Sequence, residues 1–167
     1  MRVIIPKTLL LFCLIIGCAS GPYTTIDDFT GITIHGGNIS SNSGLIGGLL
    51  ILKAEKQVTT TMQESFLMRL EFHHTDWLFI KSVTFKNINE NWEKSFEWES
   101  WDVNTNVIGG GRIIEKVVLI LSKEELTELL SQSKFDVRLY GKDYYKNFPF
   151  PTEKMATWRE FLNTKMN

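Results

Sequence analysis

Hydrophobic positions along this chain fall into two regimes. Over residues 9–16 they form one unbroken run, and from Ile32 onward they mostly alternate with polar positions. A period of two is the signature of a strand with one face buried and one in water. Ile32 and Ile34 alternate with Thr33 and His35, which predicts a first strand ending at Gly36-Gly37 and a loop over "NISSNSG". The apolar resumption in "LIGGLLILKAE" predicts a second strand over about residues 48–54. The stretch "SFLMRLEFHH" is better patterned: Phe66, Met68, Leu70 and Phe72 share one face, while Arg69, Glu71 and His73 share the other with Leu67. "WLFIKSVTFKN" is a further β-rich run, and "SFEWESWD" sets Phe96 and Trp98 against Glu97 and Glu99. The glycines of "VNTNVIGGG" permit positive φ at a turn or a bulge. Residues 113–121 are apolar almost throughout, which predicts a strand covered on both faces.

The period then changes. In "SKEELTELLSQ", Ser122 stands at an N-cap position with Glu125 three residues on, the spacing of a capping box. Leu126, Leu129 and Leu130 follow at helical spacing. Phe135, Val137 and Leu139 alternate with Asp136 and Arg138 as another strand. "GKDYYKNFPFP" reads as irregular, its prolines excluding a central strand. Thr152 is placed to cap a last helix with Met155, Trp158, Phe161 and Leu162 on one stripe and Lys165 near its negative end. Strands first and helices late indicate the α+β class: an antiparallel β-meander with two C-terminal helices packed on one side. An immunoglobulin-like sandwich is the weaker alternative, because the late helices fit it poorly.

The unbroken run at the start belongs to a different kind of element. Arg2 and Lys7 precede it and small residues follow, the order of a secretory signal peptide. It is too short to cross a bilayer, which takes about 20 residues. Its end, Ile15-Ile16-Gly17-Cys18, resembles a bacterial lipobox: two aliphatic positions, a small residue and a cysteine. That resemblance implies a diacylglyceryl group on the Cys18 thiol, cleavage before Cys18, and acylation of the new amino group. Residues 1–17 are then signal peptide, 18–28 a lipidated cysteine and tether, and 29–167 a single α+β domain. Two or more acyl chains make membrane attachment stable without a transmembrane helix. Ala19 after the cysteine, where an aspartate would favour inner-membrane retention, points to the outer membrane.

Composition narrows the setting. Cys13 leaves with the signal and Cys18 takes lipid, so the mature chain is expected to hold no disulfide and to rely on its core. The signal carries two basic residues and no acid, so 16 basic and 19 acidic residues remain, a net charge of −3. That balance speaks against nucleic acid and against a polybasic membrane patch as partners.

Candidate chemistry is sparse. His73, His74 and Asp76 contain metal-ligand types, but neighbours on a strand face opposite ways, so the two imidazoles are not expected to share an ion. Glu97 and Glu99 would lie about 7 Å apart on one strand face, within the separation of a glycosidase pair. With Asp102 they carry the alternative reading of an envelope glycan or peptidoglycan hydrolase, against the plainer one of a solvated acidic face. "GGGR" (residues 109–112) lacks the Lys-Ser/Thr of a P-loop and leads into a strand, so a hairpin turn is expected. No nucleophile elbow and no zinc-protease motif occurs. No catalytic residue, metal or cofactor is assigned. Aromatic side chains are more suggestive: four of the five tryptophans (Trp77, Trp92, Trp98, Trp101) fall in the middle of the chain, and Trp101, Tyr144 and Tyr145 offer a binding surface for a protein or a glycan.

The body of the chain, too, resembles a group of bacterial lipoproteins and exported domains. Asp27-Asp28-Phe29-Thr30-Gly31 matches their strand entry, and the stretch from Ile113 through "SKEELTELLSQSKFDVRLYG" matches their strand, helix, strand segment. These motifs mark boundaries of elements and imply no activity. The expectation is a lipid-anchored, non-catalytic binding or structural module of the bacterial cell envelope.

Overall fold

The computed structural model describes residues 22–43, 48–98 and 103–166. Among these described residues, ten strands and two α-helices follow in chain order: β1 (Tyr23–Ile26), β2 (Thr33–Asn42), β3 (Leu49–Val58), β4 (Glu64–His74), β5 (Ser82–Asn87), β6 (Trp92–Glu97), β7 (Asn104–Ile108), β8 (Arg112–Leu121), α1 (Lys123–Ser131), β9 (Phe135–Tyr140), β10 (Tyr145–Phe150) and α2 (Thr152–Phe161). A wider π-type turn over Leu162–Met166 continues α2.

The strands form two antiparallel sheets. The larger runs β1-β2-β3-β4-β8-β7 and the smaller β10-β9-β5-β6. β1 to β4 form a consecutive meander, and β5–β6, β7–β8 and β9–β10 pair as separate hairpins. After β4 the chain crosses to the smaller sheet for β5 and β6, and returns to lay β7 and β8 at the far side of β4. The molecule is thus β-rich, with two sheets and two helices sharing one core.

The register explains the core. Ile39 stands opposite Leu52, Leu52 opposite Leu70, and Leu70 opposite Val117, so one row of apolar side chains crosses four strands on the same face. All four are buried. Val83 and Phe85 of β5, Val137 and Leu139 of β9, and Phe148 and Phe150 of β10 meet this face from the smaller sheet. Leu126, Leu129 and Leu130 of α1 and Met155, Trp158 and Phe161 of α2 complete it. The capping box forms as the spacing predicts: Ser122 Oγ accepts the Glu125 N–H at 3.0 Å, and Glu125 accepts the Ser122 N–H at 3.0 Å. Thr152 does not cap α2; Pro151 precedes the helix and no side-chain cap bond forms there.

Four further expectations need correction. Residues Tyr23–Ile26, expected as tether, form β1 against β2. The strand expected to stop at Gly36-Gly37 runs on through the "NISSN" stretch to Asn42. The two glycines are sites of close approach, not a strand end. A Cβ at Gly36 would stand 2.5 Å from Tyr23 Cζ, and one at Gly37 would stand 3.3 Å from Phe161 Cβ. The absence of side chains therefore admits a tyrosine ring on one face and helix α2 on the other. Finally β8 is not covered on both faces throughout, since Val118 and Ile120 face outward and Ile120 is 80% exposed. Residues 144–150, read as irregular, hold an edge strand, and Pro149 is accommodated because only β9 pairs with it.

Candidate functional site

Between β4 and β5 the chain has to pass from one sheet to the other, and it does so as an ordered, non-repetitive strap over residues 77–81. Three consecutive amides of this strap point at one carboxylate. Glu115 Oε1 accepts the N–H of Leu78 at 2.6 Å and of Phe79 at 3.1 Å, and Oε2 accepts the N–H of Ile80 at 2.9 Å. Glu115 lies on the inner face of β8, in line with Ile113 and Val117, and is 1% exposed. Its charge is met by backbone dipoles instead of a cation, which is how a buried carboxylate escapes an unsatisfied burial.

The carbonyl side of the strap is anchored as well. Tyr144 donates its hydroxyl to the Trp77 carbonyl at 3.0 Å, Lys142 N–H donates to Leu78 at 3.1 Å, and Trp98 Nε1 donates to Ile80 at 3.2 Å. Burial pushes the Tyr144 hydroxyl above its ordinary pKa, and the charges of Asp76, Glu115 and Asp143 add to the shift, so the tyrosine keeps its proton for that bond. Gly141 lies so close to the Leu78 carbonyl that no side chain fits there.

With its backbone fixed on both sides, the strap alternates its side chains. Leu78 and Ile80 enter the core, while Trp77 and Phe79 stay half in water. Phe79 takes a left-handed backbone conformation, φ +53°, uncommon for a bulky residue. The Trp77 and Phe79 rings stack with centroids 5.6 Å apart and 15° between planes. They form one wall of a cleft of about 330 Å³, whose other sides are Ile80, Val103 and Thr105, with Glu115 at the floor and Lys81 and Lys142 at the rim. That volume lies in the range of small-ligand sites, ~300–1,000 Å³.

The residues singled out from the sequence are distributed around this cleft and beyond it. Tyr144 does not line the cleft but donates to the backbone carbonyl of Trp77, one of its wall residues. Tyr145 lies on the outer face of the smaller sheet, with the Arg138 guanidinium 4.6 Å from its ring centroid. Trp92 donates to Glu128 at 2.8 Å and joins β6 to α1. Trp101, Glu99 and Asp102 fall outside the described residues, as does Cys18. Glu97 stands exposed on the outer face of the smaller sheet, opposite Ser82. His73 and His74 face opposite sides of β4. His74 stacks on Phe72 at 5.5 Å and accepts the Asp76 N–H at 2.9 Å, whereas His73 faces outward, 3.7 Å from Glu71. Among the described residues no three His, Cys, Asp or Glu side chains converge to hold a metal ion. Gly109 to Gly111 make the turn of the β7–β8 hairpin, Gly110 and Gly111 at positive φ.

The outer face of the larger sheet carries an ion-pair lattice. Arg69 Nε meets Glu55 at 2.8 Å, and Glu71 lies 2.9 Å from Lys53 and 3.6 Å from Lys116. Tyr23 closes over Glu55 from β1, its hydroxyl donating at 3.3 Å. Burial first, and then the Glu55 charge, push the Tyr23 hydroxyl up to about 12.

Glu115 and the strap escaped the sequence reading. One signal was present: an acid at the inward parity of "RIIEKVVLIL", in line with Ile113, Val117, Leu119 and Leu121. A lone charge on an apolar strand face requires buried donors. No family model, no curated protein and no solved structure matches this chain.

Proposed function

We propose that this chain is an exported bacterial lipoprotein, anchored through Cys18 to the cell envelope at the outer membrane, and that its folded part is a non-catalytic binding module. The N-terminal order of basic residues, apolar run and "IIGC" supports the anchor. The single observation that carries the binding reading is the stacked Trp77–Phe79 pair, held half-exposed on a strap whose backbone is bonded on both sides. Rigid aromatic side chains at a cleft suit recognition, because little conformational freedom is lost when a partner covers them. The carboxylate at the cleft floor has both oxygens engaged by amides, which leaves it poorly placed to move a proton. The partner is a segment of an envelope protein or a glycan chain that packs against an aromatic face. The class assignment stays α+β: the consecutive meander β1–β4 and the two helices against its inner face support it.

A photo-crosslinking phenylalanine analogue at position 79, in cells, tests this. The expected result is a discrete crosslinked product that disappears when Trp77→Ala is added, with sensitivity to glycan-cleaving enzymes separating the two partner classes. No product, or one indifferent to Trp77→Ala, would refute the binding reading.

A further inference from the structure

The face of the smaller sheet turned away from the core is hollowed into a groove. Ser82, Thr84 and Lys86 of β5 face outward along its middle, and the register sets Tyr140 and Arg138 of β9 beside Ser82 and Thr84. Tyr145 and Asn147 of β10 stand beyond them. Two hollows, of about 860 and 510 Å³, meet over Thr84, Glu93 and Tyr140, which line both. Together they follow β5 from Ser82 to Lys86, about 13 Å on strand geometry. A groove of that length suits a linear chain better than a compact ligand.

The side chains of the groove are held by one another. Arg138 Nε donates to Asn147 Oδ1 at 2.7 Å, and the guanidinium lies 4.6 Å from the ring centroid of Tyr145 and 5.8 Å from that of Tyr140. The two tyrosine rings are 6.2 Å apart, and both reach water, Tyr145 at 53% exposure and Tyr140 at 36%. The hydroxyls of Thr84 and Ser95 are 2.8 Å apart, and Lys86 pairs with Glu93 at 2.7 Å. Polar groups already fixed in place lose little freedom when a ligand arrives.

The chemistry selects the occupant. In the two hollows, Lys81, Lys86 and Arg138 stand against Glu93, Glu97 and Asp136, so the groove has no net charge to draw in a nucleic acid or an acidic polymer. β5 and β9 are interior strands, bonded on both sides, and leave no free backbone row for an extended peptide, which adds at a sheet edge. The middle of a protein interface is poor in charge, whereas Arg138 sits in the middle here. A chain of sugar hydroxyls fits, because each hydroxyl both donates and accepts, and guanidinium, carboxylate, amide and hydroxyl groups can all partner it. The C–H faces of sugar rings meet the negative faces of exposed aromatic rings, which Tyr140 and Tyr145 supply.

We propose that this groove is a glycan-binding site that takes a neutral, linear oligosaccharide along β5, with sugar rings against Tyr140 and Tyr145. It goes beyond the Trp77–Phe79 cleft and does not depend on it, although Lys81 borders both.

The test applies the full-length protein, in detergent micelles, to an immobilised array of defined neutral and uronic-acid-bearing oligosaccharides. Tyr145→Ala, Arg138→Gln, Trp77→Ala and Ile120→Ala are compared with the parent, each checked for an unaltered melting temperature. Tyr145 and Arg138 are both exposed, so two independent positions probe the groove. The expected result is retention on neutral linear glycans, weakened several-fold by Tyr145→Ala and by Arg138→Gln and unchanged by Ile120→Ala on the other sheet. No retained glycan, or retention of acidic glycans alone, would overturn the inference. Retention lost in Trp77→Ala and kept in Tyr145→Ala would also overturn it, and would place the glycan in the cleft, leaving the binding reading of that site intact.

Discussion

The carboxylate of Glu115 and the amide of Leu78 are joined by a 2.6 Å hydrogen bond across 37 residues of sequence. This bond, with its companions to Phe79 and Ile80, decides where the strap between the two sheets runs. It therefore decides where Trp77 and Phe79 are displayed. Glu115→Ala would leave three strap amides without their acceptor, two of them on fully buried residues. The expected loss is about 3 kcal/mol or more, read from urea unfolding. Glu115→Gln keeps one acceptor oxygen and sets an NH₂ against an amide, so its loss should be smaller, about 1–2 kcal/mol. Equal stabilities for the two variants and the parent would contradict this role.

Gly141 offers a second handle on the same strap. A methyl group there meets the Leu78 carbonyl, which is backbone and cannot rotate away. Gly141→Ala is expected to cost about 1–3 kcal/mol, as overpacking does. It should also change the fluorescence of Trp77, because Leu78 is the next residue. A variant with unaltered melting temperature and spectrum would show that the strap and the β9–β10 hairpin are not in contact.

Acid should destabilise the protein in two stages. Burial pushes the His73 imidazole below its ordinary value of about 6.5, a shift that Glu71 opposes and Arg112 and Lys116 reinforce. As pH falls through about 6.5 the unfolded chain takes up a proton that the folded chain does not, so stability declines until the lowered folded value is reached. His35 is shifted the same way, by burial and by Lys165 and Lys56. Burial alone would raise Glu71, but Lys53 and Lys116 outweigh it and hold the carboxyl below its ordinary range. Its contribution is therefore present above the ordinary carboxylate value and is lost as pH falls through the lower folded one. Melting temperature followed from neutral to acid pH should fall in both windows, and His73→Gln should flatten the first. Identical slopes for parent and variant would exclude His73 as a source.

Legibility followed the range of the interactions. The capping box of α1 and the inward rows of β4 and β9 depend on residues two to four apart, and periodicity finds those. The β1 strand "YTTI" has no pattern of its own and exists by pairing with β2. Gly36 and Gly37 resemble a strand end, because what they accommodate, the Tyr23 ring and Phe161, comes from elsewhere in the chain. The cleft was the least visible feature. Its wall and floor come from residues 77–81 and 115, joined by hydrogen bonds that no local period encodes. Tyr144 was singled out on composition; its bond to the Trp77 carbonyl gives it a place in the structure.

The central claim is that Cys18 attaches this protein to a membrane. Metabolic labelling with a palmitate analogue tests it most directly, comparing the full-length chain with Cys18→Ser. The account predicts label on the parent chain, none on Cys18→Ser, and release of the variant from the membrane fraction. Label retained by Cys18→Ser, or absent from both, would contradict it.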